Sequence, residues 1–420
     1  MELQETFLKK RKISLATGVL INLLGGVAYA WSVFVLPLHE KYGWSMSALS
    51  LAYTMSAMTS MLGNIFVVPW ARRNLTMKKI ILLGGVSYGL GVSLSGFAPN
   101  IWLFYLTFGI MNGLGNALYY PCLISYSQQI FPEKSGFSSG MVTAGYGMGA
   151  VVWASVANWL YHKTGDISMA LLILGIIFLV GICGLSRLIY EVPEGFGDYM
   201  RSRNSGSSES KKPAAVSLQE KPRAEMLKDP MFYAFYICII AGILCGTMVV
   251  SHGSPIVQTQ LGMTAEAAAA IVSVFSLANM AGRFAWGTVS DKIGRLNTTK
   301  LLYLCMVAGM AGMFLFHVTV PFVASMVLVM FCYGGLASLM APLTSNLFGA
   351  KYITENYGIV FTVYGISSLI ATPLAAKILE TTGVYDTAFL VGLGFAAVGL
   401  ICNLIVASRE KKLRTAQNNA

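Results

Sequence analysis

Polar residues are sparse in twelve successive stretches of this chain, each long enough to be one helix. The stretches cover roughly 13–37, 46–70, 79–98, 101–129, 136–161, 167–189, 230–257, 265–289, 299–317, 320–347, 356–379 and 386–408. A helix rises about 1.5 Å per residue and needs about 20 apolar residues to cross a hydrocarbon layer. None of the stretches alternates apolar and polar positions with period 2, which argues against a β-barrel. The pattern predicts an all-α membrane protein with twelve transmembrane helices.

The longest polar break comes in the middle. Residues 201–212 are almost entirely polar or charged, and Pro213 and Pro222 follow. The expected organisation is therefore an N-terminal six-helix bundle (1–189), a linker (190–229), a C-terminal six-helix bundle (230–408) and a tail (409–420). The two halves also resemble each other. At one constant offset Gly140 matches Gly358, Tyr146 matches Tyr364 and Gly147 matches Gly365. Ala157, Thr164 and Gly165 match Ala375, Thr382 and Gly383 at the same offset, and Phe131 and Phe348 stand in similar places just before. The matches fall in the fifth and eleventh spans, as an internal duplication requires. Two six-helix pseudo-symmetric bundles with cargo between them is a common plan for secondary transporters.

Composition agrees. The 420 residues are 55% hydrophobic and 11% charged, where a soluble domain carries about a quarter charged residues; the mean hydropathy is +0.65. The net charge of +11 could suggest nucleic acid, but its placement does not. All Lys and Arg except Lys41, Lys163, Lys377 and Arg283 fall at the termini or in loops that a cytoplasmic N-terminus puts inside. That bias sets orientation, with both termini cytoplasmic in a bacterial-type cell membrane, and gives no nucleic-acid partner. The seven cysteines all lie in apolar spans without metal-ligand spacing, so they read as packing residues. Lys9–Lys12 and Ala28-Tyr29-Ala30 imitate a signal peptide and its cleavage site, yet the apolar run continues to Pro37, too long for one.

Against this background Arg283 stands out. It lies inside the eighth apolar span, and a guanidinium stays charged at any relevant pH. At membrane depth it needs a partner, a wet cavity or a charged cargo. Ser276, Asn279, Arg283 and Trp286 follow helical spacing and form one stripe that must face the bundle. The Arg fork can hold a carboxylate by two hydrogen bonds. Asn279 can orient it or donate to a 2-hydroxyl or 2-keto oxygen. The alternative is a purely structural Arg held by carbonyls or an internal acid, but Glu266, Asp291, Glu355 and Glu380 all stand near span ends. Tyr120, Tyr146, Tyr333 and Tyr364 lie within spans, away from the interfaces where Tyr collects. Each hydroxyl can serve a cargo or tie two helices together. His252, before Pro255 in span seven, can take a proton or simply bond backbone loosened by the proline. Lys377 can snorkel to the interface. The Gly145-Tyr-Gly147-Met-Gly149 and Gly113-Leu-Gly115 strings lie in apolar helices with no strand before them, so they serve close packing and bind no nucleotide. No cofactor, metal set or catalytic constellation is found, and an enzyme is not expected.

After span eight, Gly287, Asp291, Lys292, Gly294 and Arg295 spell G-x-x-x-D-[RK]-x-G-[RK]. This string resembles the loop signature of the major facilitator superfamily, a gating latch there. The counterpart after span two keeps Arg72 and Arg73 but has no Asp. Further strings resemble the oxalate/formate antiporter family, which includes bacterial monocarboxylate carriers. They are Gly26 to Ser32 with Tyr29 and Trp31, Phe131 to Gly136, Asn279 to Gly287 around Arg283, Phe348-Gly349, and Glu355 to Gly358. The resemblance implies a pocket at the interface of the halves, with Arg283 on a substrate carboxylate. Its lining would include Tyr29, Tyr120, Tyr146, Asn279, Tyr333 and Tyr364. A Lys in span eleven serves the second carboxylate in the family's oxalate exchanger; Tyr364 stands at the matching place, which favours a monocarboxylate.

The expected function is a secondary active transporter of a small organic monocarboxylate (lactate-, pyruvate- or formate-like). It would work by alternating access as a monomer, with proton coupling through His252. The alternative is an oxalate/formate-type exchanger or an efflux carrier for another organic anion.

Overall fold

The computed structural model describes residues 2–27, 31–205 and 219–418. Among them every regular element is helical. In chain order these are α1 (Glu2–Gly25), α2 (Ser32–Tyr42), α3 (Met46–Leu62), α4 (Val68–Asn74), α5 (Met77–Ser95), α6 (Ile101–Phe104), α7 (Gly113–Ile130), α8 (Ser135–Thr164) and α9 (Ile167–Ser186). Then come α10 (Phe196–Ser205), α11 (Arg223–Met226), α12 (Pro230–Leu261), α13 (Ala265–Ile293), α14 (Arg295–Leu315), α15 (Thr319–Phe348), α16 (Ile353–Val360), α17 (Val363–Thr382) and α18 (Asp386–Asn418). Two π-helical turns, Gly63–Val67 and Tyr105–Asn112, join α3 to α4 and α6 to α7. Among the described residues, ten helical segments are individually long and apolar enough to span a membrane. The region of α1 and α2, and α13, supply the other two spans of the twelve-span fold.

Local chemistry fixes the ends. Ser45, Thr76, Asp166, Asp229 and Thr264 each accept a bond from a backbone N–H in the first turn of α3, α5, α9, α12 and α13, as N-caps do. The C-termini of α2 and α12 stop at Gly43 and Gly262, whose positive φ of 67° and 62° a side chain would resist. Within α12 the backbone breaks at His252 (φ −121°, ψ 15°), three residues before Pro255; proline removes an N–H and crowds the preceding turn.

The described residues form two compact units. The first takes Met1–Glu133, Val142–Pro213 and Tyr357–Ile359, the second Lys134–Met141, Ala214–Asn356 and Val360–Ala420. In the first, α5 packs on α9 and α7, and α3 packs on α7 and the π turn before it. In the second, α14 packs on α18 and α15, and α13 packs on α15. The same span pairings recur in the same order, which is the pseudo-symmetry the repeat implied. Water gives helices no reason to associate inside lipid, so small residues and close backbone contact do this work.

Two segments differ from a plain sequence expectation. Residues 409–418 continue α18 as helix, with Arg414 bonded to Glu410 one turn earlier at 2.8 Å. The linker contains α10 and α11, and its end lies on the second unit. There Lys221 N donates to Phe348 O, Glu220 accepts from Ala350 N and Lys351 N, and Asn356 Nδ2 donates to Lys221 O.

Candidate functional site

The apolar pattern makes α13 a helix of 29 residues, and its burial pattern makes it one-sided. Phe275, Asn279, Arg283, Trp286 and Ser290 are buried, while Val274, Leu277 and Phe284 on the other side are exposed. The stripe read from spacing faces inward as expected. Ser276 is half-buried and donates back to Val272 O.

Arg283 is 1% exposed. Its Nε donates to Asn279 Oδ1 at 3.0 Å, and Asn279 Nδ2 in turn donates to Met330 O on α15 at 3.4 Å. A carbonyl of α15 thus orients the amide, and the amide orients the guanidinium plane. Each polar group of Asn279 makes one bond inside this unit, which holds the amide against Arg283. The relay depends on contact between helix backbones: a Cβ on Gly334 would fall on Asn279 O, and one on Gly282 on Phe331 O. The terminal nitrogens of the fork carry four further donors. No Asp or Glu occurs in α12, α14 or α15, and those of α13, α16 and α17 stand near helix ends.

The tyrosines pair within each unit. Tyr120 and Tyr146, 5% and 6% exposed, bring their rings to 4.2 Å in the first. Tyr333 and Tyr364 lie edge-to-face at 6.4 Å in the second. Tyr29 lies outside the described residues. His252 sits at the break in α12, half-buried, with Nδ1 2.9 Å from Ser251 Oγ and its ring 5.8 Å from that of Tyr385. The expectation of loosened backbone there is met.

The string from Gly287 to Arg295 is mostly helical rather than loop, since α13 continues to Ile293 and ends at Gly294 (φ 89°). This places Asp291 beside the first turn of α8. Its Oδ1 accepts from Gly136 N at 2.9 Å and its Oδ2 from Phe137 N at 2.8 Å, an acid on a helix N-terminus. Gly287 permits the approach, because a Cβ there would meet Gly136 O. Arg295 donates to Ser135 Oγ and, at 3.0 Å, to Pro342 O. Lys292 is exposed.

Sequence reading overlooked a polar ladder in the first unit. Ser56 Oγ donates to Asn112 Oδ1 at 2.9 Å, Asn116 Nδ2 donates to Ser60 Oγ at 3.2 Å, and Asn64 Nδ2 donates to Ser60 O at 2.8 Å. The signal was present as Ser56, Ser60 and Asn64, and as Asn112 and Asn116, each set four residues apart within an apolar span. Both π-helical turns adjoin this ladder, and such turns are frequent at functional sites.

Comparison with known proteins agrees with this architecture. The family model described as Major Facilitator Superfamily matches residues 15–372. The oxalate:formate antiporter of Oxalobacter formigenes is 26% identical over 89% of this chain and 85% of its own length. Human monocarboxylate transporter 12 is 26% identical over 80% of this chain and 68% of its own. Among solved structures, the transporter FucP in its outward conformation superposes with a TM-score of 0.71 at 15% identity, covering 94% of this chain and 99% of that one. With twelve spans, a repeated pairing of helices and a superfamily match along most of its length, the chain belongs to the major facilitator superfamily of membrane transporters.

Proposed function

We propose that the chain is a secondary active transporter of a small organic monocarboxylate, lactate-, pyruvate- or formate-like, working by alternating access. The observation that carries this reading is the buried guanidinium of Arg283, held in plane by Asn279 in the middle of an apolar helix. A cargo carboxylate fits that fork with two parallel charge-assisted bonds. It also brings a negative charge to a buried cation. Cargo binding therefore lowers the electrostatic cost of enclosing Arg283 in a low-dielectric interior, and the loaded carrier turns over more readily than the empty one. Tyr29, Tyr120, Tyr146, Tyr333 and Tyr364 are proposed to surround the cargo, with Asp291 and its neighbours as the latch. The relatives that move oxalate, formate or monocarboxylates by name support the anion class.

We place the protein in a cell membrane with both termini cytoplasmic, acting as a monomer, with protons entering through His252. Obligatory anion exchange is the second reading, favoured by the antiporter relative that spans most of the chain. The deciding experiment is binding of lactate and pyruvate to purified wild type and Arg283→Gln. The neutral variant should lose both anions, and retained affinity would overturn the site.

A further inference from the structure

Two cysteines of the second unit meet where α14 crosses α15. Glycine contacts fix the register of these consecutive, antiparallel helices. A Cβ on Gly335 of α15 would stand 2.7 Å from Leu302 Cδ1 of α14. A Cβ on Gly309 of α14 would stand 3.1 Å from Ser325 O and 2.7 Å from Val329 Cγ2 of α15, and one on Gly312 would fall on Ser325 Oγ. Cys305 and Cys332 form the rung between the first two contacts, where glycines on both sides let the backbones approach. Their thiols are hydrogen-bond partners there. Other thiols bond to carbonyls instead, Cys245 Sγ donating to Gly392 O at 3.1 Å and Cys183 Sγ to Leu82 O at 3.8 Å. Facing thiols on close-packed backbones meet the main requirement of a disulfide, which bridges Cα atoms about 4.4–6.8 Å apart. Access is one-sided. Cys332 is 0% exposed, whereas Cys305 is half-buried beside Leu301 and Leu304 on the exposed face of α14. An oxidant dissolved among the acyl chains therefore reaches Cys305 first.

We propose that Cys305 and Cys332 are a redox-sensitive pair, which a lipid-soluble organic hydroperoxide converts to a reversible disulfide that locks α14 to α15. Cys305 Sγ attacks the terminal oxygen of the hydroperoxide, and the O–O bond breaks. The thiol becomes a sulfenic acid, and its proton leaves with the alkoxide as an alcohol. Cys332 Sγ then attacks Cys305 Sγ. The S–S bond forms, the S–O bond breaks, and the hydroxyl leaves as water with the Cys332 proton. The two thiols give up two electrons and the hydroperoxide takes them. An added thiol or phosphine reverses the link. The lock restrains the helix whose Met330 carbonyl, two residues before Cys332, orients Asn279. It holds for any cargo, since neither thiol is asked to touch one.

The test treats the full-length carrier in liposomes with cumene hydroperoxide, blocks remaining thiols with N-ethylmaleimide, and maps peptides by mass spectrometry without reductant. Wild type should yield a peptide carrying Cys305 linked to one carrying Cys332, and phosphine should separate them. The link closes the segment 306–331 in the unfolded chain, so the oxidised carrier should melt higher by about 3 °C or more and return on reduction. Cys305→Ser and Cys332→Ser should show neither the link nor the reversible rise. Methionine oxidation affects wild type and variants alike and is not undone by phosphine, so the reversible difference reads the disulfide. The peptide map of wild type decides the pairing even if a serine variant folds poorly. Full alkylation of both cysteines after treatment overturns the proposal. So does a sulfinic or sulfonic Cys305 without a link, a link from either residue to a different cysteine, or unchanged melting of the linked carrier.

Discussion

At the scale of single residues, the spacing of polar atoms within hydrogen-bond reach separates roles that residue type leaves open. Asn279 looks as suited to touching cargo as Arg283, yet its two bonds make it the support of the guanidinium. Bonds to a charged group are worth roughly 1.5–3 kcal/mol, so Asn279→Ala should weaken anion affinity by about 10- to 100-fold while leaving the selectivity order among acids intact. Competition binding against lactate and pyruvate reads both. At the start of α9, Asp166 accepts from Lys41 Nζ at 2.5 Å and from Ser168 N at 2.9 Å. The Lys41 bond, chiefly, holds this carboxyl below its ordinary value of 3.8. The native group therefore binds its proton more weakly than the unfolded one. Its stabilising contribution is complete above pH 3.8 and disappears as pH falls through the lower native value. The melting curves of wild type and Asp166→Asn should differ at neutral pH and converge in that acid window. Both partners are more than a third exposed, so the difference should shrink in high salt.

At the scale of elements, the crossing of α13 and α15 decides whether the site exists. Gly282 and Gly334 let the two backbones touch, and that contact brings Met330 O to Asn279. Gly334→Ala puts a methyl group onto the Asn279 carbonyl, so the helices must separate. Overpacking of this kind costs about 1–3 kcal/mol. The variant should melt lower and bind lactate and pyruvate poorly. Gly394→Ala in α18, where a Cβ meets nothing within 4 Å, should leave melting unchanged or raise it slightly. The capped start of α8 gives a second element-level prediction. Asp291→Ala removes the acceptor of two backbone N–H groups, so amide exchange should speed up across 135–141 and leave the middle of α13 protected.

At the scale of the whole molecule, transport mode is separable from cargo binding. If His252 carries the coupled proton, His252→Gln should abolish uptake driven by a pH gradient in proteoliposomes while preserving anion counterflow. Loss of both would make the residue structural, held at the α12 break by Ser251 and Tyr385. The twelve-span plan, the two halves and the intramembrane Arg were legible because each rests on local or periodic signals: apolar runs of span length, a duplicated string, a charge where lipid forbids one. The seventh span was legible within a few residues, read as 230–257 where the helix runs Pro230–Leu261. The tail was not, because the chemistry that keeps 409–418 helical (Glu410 with Arg414 and Asn346) includes a partner on another helix.

The sequence alone determined that this chain spans a membrane twelve times and carries a cation at depth, since hydropathy and charge act on each segment wherever its neighbours lie. Tertiary structure alone decided that Asn279 bonds Arg283 and that Asp291 caps α8. Hydrogen bonds act over about 3 Å, and only the packing of helices distant in sequence settles which polar atoms meet.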